Sequence, residues 1–177
     1  MALSGKQAAV LRGMLAALAV SFAALAAGAV LWPENRLPGD AGERLAFAAR
    51  ASLAPAAWLL VSIGTLARHR FFTAEDIDGS GLTAGTSKAK RLQAVLQNTL
   101  EQAVLAALAY GCFAALAPQP LLGTLPVAAV LFFVGRALFF HGYGKGAGAR
   151  ALGFALTFYP TVLLFLGCLL VAVVRPS

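Results

Sequence analysis

Five stretches of this chain run almost without charge for the length of a bilayer crossing, and that pattern leaves few folds open. They run from Gly13 to about Trp32, from about Leu45 to Ala67, from a polar start near Arg91 into an apolar run Ala103 to Ala117, from about Leu121 to Phe140, and from Ala151 to Val174. A helix rises about 1.5 Å per residue, so some 20 apolar residues cross roughly 30 Å of hydrocarbon. Composition agrees, with 60% hydrophobic and only 12% charged residues, where a soluble domain carries about a quarter charged. In water such segments would expose large apolar patches. The expected class is all-α, a multi-pass membrane helical bundle in one domain-sized unit. Pro55 and Pro160 fall inside spans, where neighbouring helices can satisfy the freed backbone groups.

Lys6 and Arg12 ahead of the first apolar run also fit a signal peptide, with Ala26 to Ala29 as a candidate cleavage stretch. The run exceeds the usual signal core of about 7–15 residues, so an uncleaved first span is expected. Lys and Arg then set the orientation. One side collects Lys6, Arg12, Arg68, Arg70, Lys88, Lys90, Arg91, Lys145 and Arg150, and the other Arg36, Arg44 and Arg175, nine against three. Positive charge stays in the cytoplasm, which puts the N-terminus inside and, after five spans, the C-terminus outside.

The same topological bias accounts for the net charge of +7 without a nucleic-acid partner, since no basic stripe interleaved with aromatics is present. Cys112 and Cys168 sit within apolar runs and are expected to be buried small hydrophobes. The longest connection, Arg68 to Lys90, holds an Asp-Ile-Asp-Gly-Ser-Gly string that resembles a calcium loop. The twelfth position from Asp76 is Ser87 where a glutamate is required. No metal is expected there, and the segment is taken as a flexible loop of turn residues.

Ionisable groups inside spans are the informative ones, each costing about 2.5–3.5 kcal/mol at mid-bilayer. The third span opens with Arg91, Gln93, Gln97, Asn98, Glu101 and Gln102. Arg91 and Asn98 are seven apart and nearly in register, and Glu101 lies on the adjoining edge. The fourth span carries Arg136 and, seven later, Tyr143. Arg91 to Asn98 and Tyr143 back to Arg136 each rise about 10 Å, so Asn98 and Arg136 should reach similar depth on antiparallel helices. Glu101 lies about 5 Å deeper, and a Glu101–Arg136 contact is expected. Such a network either fixes helix register or lines a ligand site.

The string Arg91-Leu-Gln-Ala-Val-Leu-Gln-Asn98-Thr-Leu-Glu101, then Gly135-Arg136 through Gly142-Tyr143, then Arg150, resembles the MAPEG family, membrane-associated proteins in eicosanoid and glutathione metabolism. The likeness covers roughly Pro55 to the C-terminus, and is to members of bacterial type. It implies a four-helix core (residues 45–177) that assembles as a homotrimer, preceded here by an extra transmembrane helix and outer loop (residues 1–44). It further implies residence in a bacterial inner (plasma) membrane, with glutathione bound between subunits near the cytoplasmic helix ends.

On this resemblance, Arg68, Arg91 and Arg136 would clamp the carboxylates of glutathione, Glu101 would receive its ammonium, and Asn98 and Tyr143 would bond its peptide. Arg150 would be the catalytic residue, favouring thiolate over thiol. The second substrate would be a lipophilic electrophile drawn from membrane lipid. The chain departs from the family pattern at Gln102, where relatives commonly carry Tyr or another motif residue, and in lacking a proline often found shortly afterwards. Ala94 stands where an arginine is expected, and Phe139 where an aromatic hydroxyl is expected. Two readings follow: a glutathione transferase or peroxidase, and a non-catalytic protein binding lipid or a partner through the same cleft. A channel or transporter is disfavoured, because few polar groups continue toward the outer half.

Overall fold

The computed structural model describes residues 3–174; Arg175, one of the charges expected on the outer side, lies outside them. Five α-helices follow one another: α1 (Gly5–Leu31), α2 (Ala41–Phe71), α3 (Ser87–Leu116), α4 (Thr124–Tyr143) and α5 (Ala147–Val174). A short 3-10 turn, Gln119–Gly123, leads into α4. All five spans are long and apolar enough to cross a membrane, and the chain is an integral membrane helical bundle. At 31 and 30 residues, α2 and α3 reach about 45 Å, beyond the roughly 30 Å of hydrocarbon.

The helices outrun the apolar stretches because polar side chains satisfy their first backbone N–H groups. At α1 the Ser4 hydroxyl accepts from the Gln7 N–H (3.3 Å) while the Gln7 side-chain Oε1 accepts from the Ser4 N–H (2.8 Å), a reciprocal capping box. Asp40 caps α2 through the Glu43 N–H (2.9 Å), and Thr86 caps α3 through the Ala89 N–H (3.1 Å). At the far end of α3, Arg44 donates to the carbonyls of Ala114 (3.2 Å) and Ala117 (2.9 Å). One of the few basic residues at that end thus closes a helix terminus.

Helix α2 packs along α3, α4 along α5, and α1 against α5 and α4. The core in the half away from the basic end is built from Tyr110, Phe113, Leu122, Leu125, Phe132 and Leu164. Trp58 of α2 meets Phe133 and Phe140 of α4, ring centroids 5.5 and 5.0 Å apart. Small residues let α1 come close: a methyl on Gly28 would lie 2.9 Å from the Gly123 carbonyl oxygen. Cys168 is buried as expected, but Cys112 is exposed, because it falls on the side of α3 that no other helix of the chain covers.

The connection between α2 and α3 is more than a run of turn residues. Asp76 is 1% exposed. Its Oδ1 accepts from the Thr86 N–H, and its Oδ2 from the Thr86 hydroxyl, both at 2.7 Å. His69 Nε2 lies 3.0 Å from the same Oδ2. Asp76 therefore ties the end of α2 to the cap of α3. The Thr86 hydroxyl and backbone bonds, aided by His69, hold its carboxyl below the ordinary carboxylate value.

Candidate functional site

The centre of the basic end is set by how closely α4 and α5 approach. A methyl on Gly135 would come within 2.9 Å of both the Gly153 carbonyl oxygen and Thr157 Cγ2. With no side chain there, the helices touch backbone to backbone, and Arg136 reaches across to α5. Arg136 is completely buried. Its Nη2 donates to the Thr157 hydroxyl (2.7 Å), and its Nη1 to Asn98 Oδ1 (2.9 Å) with a longer contact to the Thr99 hydroxyl (3.4 Å). The guanidinium also lies over the rings of Phe139 (4.5 Å) and Phe132 (5.7 Å). Asn98 and Arg136 do stand at one depth.

The expected Glu101–Arg136 pair does not form. Among the described residues, the one ion pair is His69 with Asp76. Glu101 is exposed and accepts from Gln97 Nε2 (2.9 Å), one turn back on its own helix. The reason is rotational rather than axial. Asn98 already turns its oxygen to the guanidinium, and Glu101, three residues on and about 60° short of a full turn, falls on the outer side of α3. Neutral acceptors and two aromatic faces surround the buried cation instead.

Beside this cluster a cleft of about 340 Å³ opens between α1, α3, α4 and α5. Its polar lining is Asn98, Tyr143 and Arg150, and its apolar lining includes Phe139 and Phe154. The Arg150 guanidinium stacks over the Tyr143 ring (4.4 Å), and Tyr143 meets Phe139 edge to face (5.2 Å). Two rings, Phe139 and Tyr143, thus stand between the buried Arg136 and the Arg150 of the cleft wall. Because the Asn98 oxygen faces Arg136, its amide NH2 is left to donate toward an acceptor in the cleft.

The other expected site residues lie elsewhere in the single chain. Arg136 is behind the wall, and Arg91 is exposed beside the α4–α5 turn, where a methyl on Gly144 would lie 3.4 Å from its Nη1. Arg68 is exposed on α2 over Phe72, 5.8 Å to the ring centroid, away from the cleft. A second cavity of about 390 Å³ adjoins the α2–α3 loop, where Arg70 Nη2 donates to Ser80 and Gln93, both at 3.1 Å.

Sequence reasoning missed several participants, Phe132 and Phe154 among them. Thr157 lies seven residues after Arg150, the same spacing that paired Arg136 with Tyr143, so its position on that face was legible. Thr99 adjoins Asn98 and carried no separate signal. Val10 and Met14 of α1 also line the cleft, but nothing distinguishes them from lipid-facing residues in an apolar helix.

Searches of curated proteins and of solved structures returned no match. The model of the MAPEG family, by contrast, matches residues 45–170, which takes in α3, α4 and all but the last turn of α5, and begins four residues into α2. The chain that carries this buried arginine cluster and its adjoining cleft belongs to the MAPEG family.

Proposed function

We propose that this membrane protein is a glutathione-dependent transferase or peroxidase acting on lipophilic electrophiles. The observation that carries the reading is the meeting of Asn98, Tyr143 and Arg150 on one cleft whose remaining walls are apolar. Glutathione presents carboxylates and peptide carbonyls, which suit the Asn98 amide and the Tyr143 hydroxyl as donors. Its thiol has an ordinary pKa near 8.5. A fixed guanidinium beside the sulfur favours the thiolate at neutral pH. In the transferase reaction that thiolate forms a C–S bond to the electrophilic carbon, and the leaving group departs with the bonding electrons; with an epoxide, the opened oxygen takes a proton.

The reading extends to assembly and placement. Ala94, Gln97, Glu101, Val104, Leu108 and Ala115 form an exposed row along α3 at alternating three- and four-residue spacing, broken only between Leu108 and Ala115. A row of that kind is the pattern of a helix seam, and a second copy would shelter Glu101 from lipid. It supports a homotrimer. The basic residues gathered at the cleft's end support an N-terminus on the cytoplasmic side; placement in a bacterial inner membrane rests on the family resemblance alone.

The non-catalytic alternative, binding of lipid or a partner protein, draws on a different observation. Glu101 faces away from the cleft, so within one chain the ammonium of glutathione meets no carboxylate there. Calorimetry of glutathione against detergent-purified protein separates the two, followed by turnover with an electrophile. In the enzyme reading the wild type binds and consumes glutathione, and Arg150→Ala lowers kcat about a hundredfold with much less change in binding. A wild type that neither binds nor consumes glutathione ends the catalytic reading.

A further inference from the structure

The cleft has a wall that the family match does not include. Val10 and Met14, one helical turn apart on α1, line the cleft together with Asn98, Tyr143 and Arg150. Helix α1 lies wholly before residue 45, where the match begins. We propose that α1 closes the cleft in cis, so that the site is complete on the α1 side within one chain, and that Val10 and Met14 set the size of the lipophilic substrate admitted beside Arg150. The substrate-size part rests on the glutathione reading; the closure by α1 does not.

Three observations carry the closure. First, α1 is docked on α5 at cleft level by small residues: a methyl on Gly13 would meet the Ala151 methyl at 3.2 Å and the Leu152 N at 3.0 Å. A methyl on Gly148 would likewise meet the Ala9 methyl at 2.9 Å. These contacts bracket Val10 along α1, and Met14 is the next residue after Gly13. Second, the docking continues to the far end through Gly28 against Gly123, so α1 lies along the bundle rather than touching it at one point. Third, Val10 and Met14 bring only hydrocarbon and a thioether to a cleft whose polar groups, Asn98, Tyr143 and Arg150, all come from α3, α4 and α5. The polar part of a ligand is therefore held by α3, α4 and α5, and its apolar part lies along α1. An unbranched, flexible Met side chain suits a wall that must fit varied apolar shapes.

The test uses the full chain with Cys112 and Cys168 changed to Ser. Gly13→Cys with Ala151→Cys places two Cβ atoms close to disulfide range. Mild oxidation should give a cross-link within one chain, seen as protection from a mass-tagging maleimide without a dimer band. A cross-link formed only between chains overturns the proposal. Should that pair fail to fold, single cysteines answer instead. A thiol at Met14→Cys should react with an anionic methanethiosulfonate faster than with a cationic one, by about tenfold. The preference should reverse in Arg150→Glu. A lipid-facing control, Leu18→Cys, should show neither effect, and equal behaviour of positions 14 and 18 overturns the closure.

Neither measurement needs glutathione, so the closure is tested even if the glutathione reading fails. Where turnover is present, Met14→Trp should lower kcat/KM for a bulky electrophile about tenfold. A small electrophile should be spared, and glutathione binding should stay within about twofold. Equal losses for both electrophiles overturn the substrate-size role while leaving the cis cross-link to judge the closure.

Discussion

Two charges are buried at the basic end of this bundle, and they are stabilised in opposite ways. Asp76 takes its partners from nearby in the sequence: Thr86, ten residues on, and His69, seven residues back. Arg136 takes its partners from two other helices, Asn98 and Thr99 on α3 and Thr157 on α5, with no carboxylate among them. A loop can fold around its own anion before the helices meet. The arginine's two Nη groups find these partners only when α3, α4 and α5 are all in place, and its Nε finds none. Asp76 reports on a local turn, Arg136 on the assembled bundle and on the cleft wall that Asn98 shares.

The largest effect should come from breaking the second arrangement. Arg136→Ala leaves Asn98 Oδ1 without its donor and opens space beside Phe139 and Phe132. A loss of about 3 kcal/mol is expected, read from unfolding in mixed micelles of increasing dodecyl sulfate. Arg136→Lys should recover less than half of it, because one ammonium lacks the planar fork that reaches Asn98 and Thr157 together. Full recovery by lysine would mean that charge alone matters, and the geometric account would be wrong.

A smaller and purely local effect is expected at Asp76. Its folded-state carboxyl lies below the ordinary value of about 3.9, so the anion is favoured by folding. Its contribution is fully present above that pH and is lost as pH falls below about 3.9 toward the folded-state value. Proteolysis or hydrogen exchange of residues 73–86 should rise across that range before the helices themselves open. Asp76→Asn should already be raised at neutral pH and should show no further change over the interval. If Asp76→Asn leaves the loop as protected at neutral pH as in the wild type, the anchoring role of Asp76 does not hold.

The two regions also differ in how far they were legible. The five spans could be placed because apolar length is a one-dimensional property, and their polar extensions were lost only because caps such as Ser4 and Thr86 look like loop residues. Axial depth was legible too, since rise per residue is constant; Asn98 and Arg136 meet as that arithmetic requires. Rotation was not. Whether Glu101 points at Arg136 or away depends on which face of α3 packs on α4 and α5, and the contacts that show it are made by Arg136 and Thr157 on those other helices, to Asn98, Thr99 and Gln102. In the loop, the Asp-Ile-Asp-Gly string drew attention for calcium, while the useful fact was the Thr86 cap ten residues later. The participation of α1 left no polar residue to mark it.

The smallest expected number is the one that most sharpens the contrast. If the hydrogen bonds of Arg136 go to neutral partners alone, removing Glu101 should not change what Arg136 contributes. A double-mutant cycle of Glu101→Gln and Arg136→Ala, measured by the same micellar unfolding, should be additive within about 0.5 kcal/mol. A directly paired carboxylate would show coupling of 1 kcal/mol or more, since the single Arg136 change would then strand a charge that Glu101→Gln relieves. Glu101→Gln alone should act instead on self-association, because its carboxylate lies on the exposed row of α3 beside Gln97. Analytical ultracentrifugation of this variant beside Arg136→Lys separates the two roles. The first should change oligomer stability with the stability of the single chain retained, and the second should lower the stability of the single chain itself.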